Sequence, residues 1–390
     1  MDFSYLSDIL ILLATAVAVV SLCLRLHLPP ILGYLTVGVV VGPHALAWIA
    51  DAAHTRAFAE FGLVFLLFTI GLEFSLSLLV RMKAAVLGLG GLQVLLTTLI
   101  IAAVSYYYLT LSIQGALVLG GIVAMSSTAL VIRQLAEQQE LHSPHGRNAV
   151  GILLFQDLAV IPFLILVAGP TGAMDTMPLL VVLAALAKGL LALLLILALG
   201  RWALRPLFRG IDRLGSTELF TLAVLLVALG AAGLTHQLGL SLALGAFLAG
   251  MMLGETEFRQ QIEAVIRPFR DVLLGLFFIT IGMLLDVQLL WAEAPRILLL
   301  LLVLMSFKWL LITGLCRLVG RNSITALRTG LVLAHGGEFG FAILALAFNS
   351  RLFPADLGQV VLTALLLSMG LAPLLIRVNG RLAGILPHKV

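Results

Sequence analysis

The sequence predicts an all-α polytopic membrane protein, and three observations predict it. Hydrophobic residues make up 62% of the 390 positions and charged residues 11%, against about 25% charged in water-soluble domains. The apolar residues fall into thirteen segments of roughly the 20 residues that cross a bilayer, divided by Pro, Gly and charge. Lys and Arg crowd into every second connection between those segments. A soluble enzyme of this composition would aggregate, and no nucleophile–base pair, phosphate loop or metal-ligand spacing points to an enzyme or to a bound cofactor. Cys23 and Cys316 both lie in apolar segments and suggest no disulfide framework. The net charge of +4 resides in loops and forms no stripe that would engage nucleic acid, so the expected surroundings are the lipid bilayer.

The first segment, 7–26, follows Met-Asp-Phe without a basic leader and is long enough to span, so no cleavable signal is expected. Pro29-Pro30 separates it from 31–50, and 57–79, 84–108 and 114–136 follow. Pro144 precedes 148–169; the stretch Pro170–Pro178 sets off 178–200. After it come 217–236, a short Gly-rich segment at 241–254, 271–290 beyond Pro268, 297–316 beyond Pro295, 324–349, and 355–376 beyond Pro354. With the N-terminus outside, 18 of the 23 basic residues fall in inside loops and the tail; only Arg56, Arg296 and Arg351 fall outside, and Lys188 and Lys308 lie within spans. That asymmetry predicts a cytoplasmic C-terminus and supports an odd number of spans in one transmembrane domain, 1–390.

The two halves repeat. Gly33, Gly38 and Gly42 recur 212 positions on as Gly245, Gly250 and Gly254. Thr69-Ile70-Gly71 recurs as Thr280-Ile281-Gly282, and Ser126-Ser127-Thr128 aligns with Gly336-Gly337-Glu338. The first repeat is read as 1–169, the connector as 170–213 and the second repeat as 214–390. A shift of seven spans inserts the halves with opposite orientation, a signature of secondary transporters that bind at the midplane between repeats. Such sites use interrupted helices. The fifth segment is interrupted at Met125-Ser126-Ser127-Thr128 and the twelfth at Ala334-His335-Gly336-Gly337-Glu338, at matching repeat positions. Paired Gly permits an extended backbone, and half-helix dipoles and bare carbonyls can then face an ion.

Asp157 is the sole ionisable residue within the sixth segment and sits near its middle. A charge at that depth costs about 2.5–3.5 kcal/mol on insertion scales and marks an ion or proton pathway. Gln156 adds polarity beside it, and Pro162 frees a backbone carbonyl at the same depth. Lys308, near the middle of the eleventh segment, is too deep to reach either interface; a carboxylate partner is expected, Asp157 or Glu338, as a structural pair or in coupling. Lys188, nearer a membrane end, is read as interfacial.

Gly151-Ile-Leu-Leu-Phe-Gln-Asp-Leu-Ala-Val-Ile-Pro162, Ser126-Ser-Thr-Ala-Leu130, Phe277-Phe-Ile-Thr-Ile-Gly-Met283 and His335-Gly-Gly-Glu-Phe339 together resemble the membrane domain of the second large branch of monovalent cation:proton antiporters, and within it the Kef-type glutathione-regulated potassium efflux systems. The resemblance covers nearly the whole chain and implies the sodium/proton antiporter-like fold, with two inverted repeats and crossed broken helices. It implies a core of spans 4–6 and 11–13, a scaffold of spans 1–3 and 8–10, homodimerisation through the scaffold, an elevator-like cycle, and a cell inner membrane location. Its Gln156-Asp157 pair stands where electrogenic sodium/proton relatives have two aspartates, which implies electroneutral potassium-for-proton exchange. The implied cation site is Asp157 with Gln156, Ser126, Ser127 and Thr128, assisted by backbone at Met125, Gly336 and Gly337. Kef-type systems continue into a cytosolic nucleotide-binding domain, which the resemblance implies as a regulatory partner, and carry an acidic regulatory stretch where this chain reads Phe258-Arg-Gln-Gln-Ile-Glu-Ala-Val-Ile-Arg-Pro-Phe269, with Glu263 its main acid. The rival readings are a sodium/proton antiporter of the same fold and a gated potassium channel; an inverted repeat around one carboxylate disfavours the channel.

Overall fold

The computed structural model describes residues 4–26, 28–49, 53–73, 84–169, 187, 204–237 and 241–384. Every regular element among them is helical. In order they are α1 (Ser4–Arg25), α2 (Pro30–Val41), α3 (Ala53–Glu73), a wide π turn (Ala84–Gly90) leading into α4 (Gly91–Tyr108), α5 (Ile113–Ala124), α6 (Thr128–Glu137), α7 (Pro144–Ala168), α8 (Arg205–Asp212), α9 (Thr217–Gln237), α10 (Leu242–Gly254), α11 (Arg259–Met283), α12 (Val287–Ala292), α13 (Ala294–Leu318), α14 (Ser323–Val332), α15 (Glu338–Asn349) and α16 (Ala355–Gly384). Among the described residues, six stretches are long and apolar enough to cross a membrane: 86–108, 113–137, 144–168, 217–237, 294–318 and 355–380. Shorter apolar helices occupy most of the other predicted spans. The seventh predicted span and Lys188, in the connector, lie outside the described residues.

The fifth and twelfth spans are each two helices, α5 with α6 and α14 with α15, broken where the sequence places the interruptions. Other boundaries differ from the sequence reading: the second span's helix ends at Val41, short of 50. The tenth begins at Arg259, well before 271, because the charged stretch ahead of it is itself helical and carries Pro268 within the helix. It ends at Met283, and Asp286 then starts α12 by accepting hydrogen bonds from the Gln288 and Leu289 N–H groups at 2.8 and 3.2 Å.

Packing divides the chain into two compact units, each drawn from both halves of the sequence: Met1–Cys23, Gly33–Ser77 and Leu164–Leu284 in one, and Leu24–Leu32, Leu78–Phe163 and Leu285–Val390 in the other. These follow the two groups of spans that the resemblance implied. In the first unit the repeated glycines are the packing surface. A Cβ on Gly38 of α2 would lie 2.0 Å from the Ile279 carbonyl oxygen of α11, and one on Gly282 of α11 would lie 2.2 Å from that of Leu35. The repeat-related pair is the same: a Cβ on Gly250 of α10 would lie 1.9 Å from the Phe68 carbonyl oxygen of α3, and one on Gly71 of α3 would lie 2.1 Å from that of Phe247. The small residues let backbones touch where lipid provides no hydrophobic drive for helix association. Gly250→Ala therefore pushes two backbones apart and is expected to destabilise the protein by roughly 2–3 kcal/mol. Thermal unfolding in detergent checks this; a melting point equal to the parent's contradicts it.

In the second unit, α4 packs on α5 and α13 on α14, again in repeat-related fashion. A Cβ on Gly120 would meet the Thr98 carbonyl at 2.5 Å, and one on Gly330 that of Trp309 at 2.7 Å. Helix α15 packs on α5 and α16, so the two interrupted spans lie side by side, with α7 contributing Gln156 and Asp157 to the same region.

Candidate functional site

The site is the crossing of the two interruptions, wholly within the second unit. After α5 the chain is extended at Met125 (φ −71°, ψ 143°) and Ser127 (φ −77°, ψ 112°). Before α15 it is extended at Gly337 (φ −144°, ψ 172°). A Cβ on Gly337 would sit 2.4 Å from the Ser126 carbonyl carbon and 2.6 Å from the Ser127 nitrogen, so glycine is needed for the strands of backbone to touch. Gly336 is held by its N–H donating to Ser368 Oγ of α16 at 3.0 Å.

Breaking a helix leaves orphan carbonyls on one side and orphan amides on the other. Lys308, 0% exposed, answers the carbonyls. Its Nζ donates to the Met125 carbonyl at 2.6 Å, the His335 carbonyl at 2.7 Å and Ser126 Oγ at 2.9 Å. Those acceptors lie just past the C-terminal ends of α5 and α14, the negative ends of two half-helix dipoles. All three ammonium hydrogens are used, so the carboxylate partner expected from sequence is replaced here by backbone carbonyls and a hydroxyl. Ser126 in turn donates to the Leu333 carbonyl at 3.0 Å, tying the two interruptions directly.

Carboxylates answer the amides. Ser127 caps α6, its hydroxyl oxygen accepting the Leu130 N–H at 3.3 Å. Glu338, 6% exposed, accepts the Ala129 N–H at 3.5 Å, and the Ser127 hydroxyl and Thr128 N–H also face its carboxyl group. Glu338 thus occupies the N-terminus of its own helix, α15, and that of α6 in the partner span. Its second oxygen, Oε2, is buried without a hydrogen-bond partner. Asp157, 7% exposed, accepts the Thr128 hydroxyl at 2.9 Å through Oδ1. Both acids therefore meet the positive end of α6, while the lysine meets the negative ends of α5 and α14.

Gln156 does not turn to its neighbour Asp157. Its Oε1 accepts the Ser126 N–H at 2.8 Å, and its Nε2 donates to Gln93 Oε1 at 2.7 Å. Gln93 Nε2 donates to the Ala124 carbonyl at 3.1 Å. This amide chain satisfies an orphan donor and an orphan acceptor of the interruption. Of the residues expected around the cation, Thr128 bonds Asp157, whereas Gln156 and Ser126 have their bonds within the crossing. Sequence reasoning missed Gln93 and Ser368. Gln93 carried a signal, being the one amide side chain in the apolar stretch 84–108.

A cavity of about 180 Å³, lined by Arg133, Glu137, Arg377 and the apolar Leu28 and Pro373, reaches Ser127 and Ala129 at the start of α6. Among the described residues no cluster of three or more His, Cys, Asp or Glu side chains is placed to hold a metal.

A second polar cluster ties the loop after α6 to α14 and α16. Arg328 donates to both oxygens of Glu140, at 2.6 and 2.5 Å, and to Asn379 Oδ1 at 2.5 Å. His145 lies 3.2 Å from Glu140. Burial pushes the Glu140 carboxyl up, but the hydrogen bond and charge of Arg328, with His145, hold it below the ordinary carboxylate range. A lowered carboxyl stabilises the fold above its unfolded-state value and loses that contribution as pH falls through the folded one. Glu140→Gln is expected to cost roughly 1–2 kcal/mol at neutral pH and nothing in acid below the carboxylate range. Melting temperatures of parent and variant against pH check it; curves that stay parallel contradict it.

The sodium/hydrogen exchanger, transmembrane, family matches residues 9–378 of this chain. The chain is 47% identical over 380 residues to the putative K(+) efflux antiporter KefB of Alkalimonas amylolytica, covering 97% of this chain and 57% of that protein. It is 42% identical to the chloroplastic K(+) efflux antiporter 2 of Arabidopsis thaliana, covering 94% of this chain and 32% of that protein. The chain thus spans little more than half, or about a third, of these curated relatives. Among solved structures it resembles the sodium proton antiporter MjNhaP1 of Methanocaldococcus jannaschii, with a TM-score of 0.63 at 18% identity over 96% of both chains. An electron-microscopy structure of the same protein gives 0.65 at 18% identity, covering 100% of this chain and 99% of that one. At that identity the likeness establishes the fold.

Proposed function

The chain belongs to the sodium/hydrogen exchanger family, and from that premise we propose that it is a monovalent cation:proton antiporter, most specifically one that exchanges potassium for protons at Asp157. One observation carries the reading: a buried carboxylate, Asp157, bonded to the Thr128 hydroxyl at the positive end of a half-helix, beside the crossing of two interrupted spans. An ionised Asp157 binds a dehydrated monovalent cation with the Thr128 oxygen; a proton competes for the same carboxylate. Because either cation neutralises the one charge, exchange needs no separate coupling device and moves no net charge. The potassium specificity rests on the efflux antiporters named among the relatives.

The proposal includes an elevator-like alternating-access cycle in which the second unit carries the ion, a homodimer, and a multi-pass chain in a cell inner membrane with its N-terminus outside. The basic loops support that orientation. A cytosolic nucleotide-binding partner is carried on the resemblance alone. The experiment is cation-driven proton flux in proteoliposomes with lithium, sodium, potassium and rubidium compared at one pH. Saturable, potassium-dependent proton flux is expected, insensitive to membrane potential. Sodium preference would make the protein a sodium/proton antiporter of the same fold, and non-saturating flux independent of pH would make it a channel.

A further inference from the structure

Resting on the Asp157 reading, we propose that Gln93 is a positioning residue of the exchange: with Gln156 it forms a two-amide splint across the first interruption, one that holds Thr128 against Asp157 and works only while both of its links are uncharged.

The splint runs in one direction. The Ser126 N–H donates to Gln156 Oε1 at 2.8 Å, Gln156 Nε2 donates to Gln93 Oε1 at 2.7 Å, and Gln93 Nε2 donates to the Ala124 carbonyl at 3.1 Å. The second hydrogen on Gln93 Nε2 goes to Thr97 Oγ1 at 3.2 Å. Both glutamines are 0% exposed. A backbone N–H only donates and a backbone carbonyl only accepts, so the two ends fix which way each amide faces. Turning either amide over sets oxygen against oxygen and N–H against N–H. Each link must therefore accept on one side and donate on the other. A neutral amide does both, a protonated carboxyl does both, and an ionised carboxylate only accepts.

The splint adjoins the acid. Helix α7 grips the start of α6 at two successive residues: Gln156 takes the Ser126 N–H, and Asp157 takes the Thr128 hydroxyl at 2.9 Å. Gln93 on α4 sets the first grip and, through it, the second. The other repeat meets the same need with different groups. Ser368 Oγ accepts the N–H of Gly336, the counterpart of Ser126, at 3.0 Å, and Lys308 takes the His335 carbonyl. Lys308 follows Thr97 by 211 positions, as Trp309 follows Thr98, and the Thr98 and Trp309 carbonyls are those that face Gly120 and Gly330. Where the second repeat places an ammonium, the first places a neutral relay of amides.

Gln93→Met removes the relay at similar volume. In proteoliposomes the half-saturating potassium concentration for exchange is expected to rise roughly tenfold, the worth of one neutral hydrogen bond, with the maximal rate changed far less. A side chain that served only the fold would lower the maximal rate, through fewer active molecules, and leave half-saturation where it is; that outcome overturns the proposal. Gln93→Glu keeps the shape, decides the charge rule, and covers the case in which Gln93→Met does not fold. Infrared difference spectra are taken against the parent, which carries Asp157, Glu338, Lys308 and His335 in the same region. Exchange is expected at every pH where the new carboxyl shows its protonated band and is expected to be lost wherever that band disappears. Exchange at the parent's half-saturation with the new carboxyl ionised, or no exchange with it protonated, overturns the proposal. Gln156→Glu puts the same question to the other link and is expected to answer alike. The Asp157 reading fails separately, by exchange surviving in Asp157→Asn; the tie between exchange and the new band does not depend on it.

Discussion

Asp157→Asn should abolish cation-for-proton exchange, lowering it by at least about 100-fold, which is ~2.7 kcal/mol of barrier. The amide keeps the shape of the carboxylate and its Oδ1 can still accept the Thr128 hydroxyl, now 2.9 Å from the acid. What disappears is the group that both a proton and a cation neutralise. The protein should fold with stability within about 1 kcal/mol of the parent, because the variant buries one charge fewer and keeps an oxygen for the Thr128 hydroxyl. Proteoliposome flux together with melting temperature tests this. Exchange near the parent's rate would remove Asp157 from the mechanism. Loss of exchange together with loss of fold would mean that the carboxylate is structural.

Lys308→Met should have the largest effect on stability, a loss of roughly 3–5 kcal/mol. The volume of the side chain is nearly kept, so packing alone predicts little change. The cost comes from the oxygens left behind. The Met125 and His335 carbonyls and the Ser126 hydroxyl lose their charged donor at a place that water does not reach. Lys308→Arg keeps the charge but spreads its donors in a planar fork, which cannot converge on three oxygens around one nitrogen, and should recover only part of the loss. Melting temperatures of the three proteins in one detergent decide it. A Lys308→Met protein as stable as the parent would mean that the crossing is held by Ser126 and Leu333 and the lysine is incidental.

The residues that were legible in the sequence were those whose chemistry is out of place in lipid. Asp157, Lys308 and Glu338 stand out because a charge within an apolar stretch is costly wherever its helix packs. The interruptions at Met125–Thr128 and Ala334–Glu338 stood out because they align across the repeat. What each polar atom bonds to was not legible. Gln156 looked like a cation ligand by adjacency to Asp157, yet successive residues on a helix point about 100° apart, and it faces Gln93 and Ser126 instead.

Sequence by itself determined the class of this protein, its repeat and the position of the buried carboxylate proposed as its carrier. Hydrophobic length, basic loops and isolated charge are properties of the chain in a bilayer and do not depend on which helix lies next to which. Only the tertiary structure decided which groups each buried charge bonds. Two interruptions some 210 positions apart had to cross before the carbonyls of one and the amides of the other came within reach of Lys308 and Glu338. A hydrogen bond of under 3 Å is set by that convergence, and no spacing along the sequence encodes it.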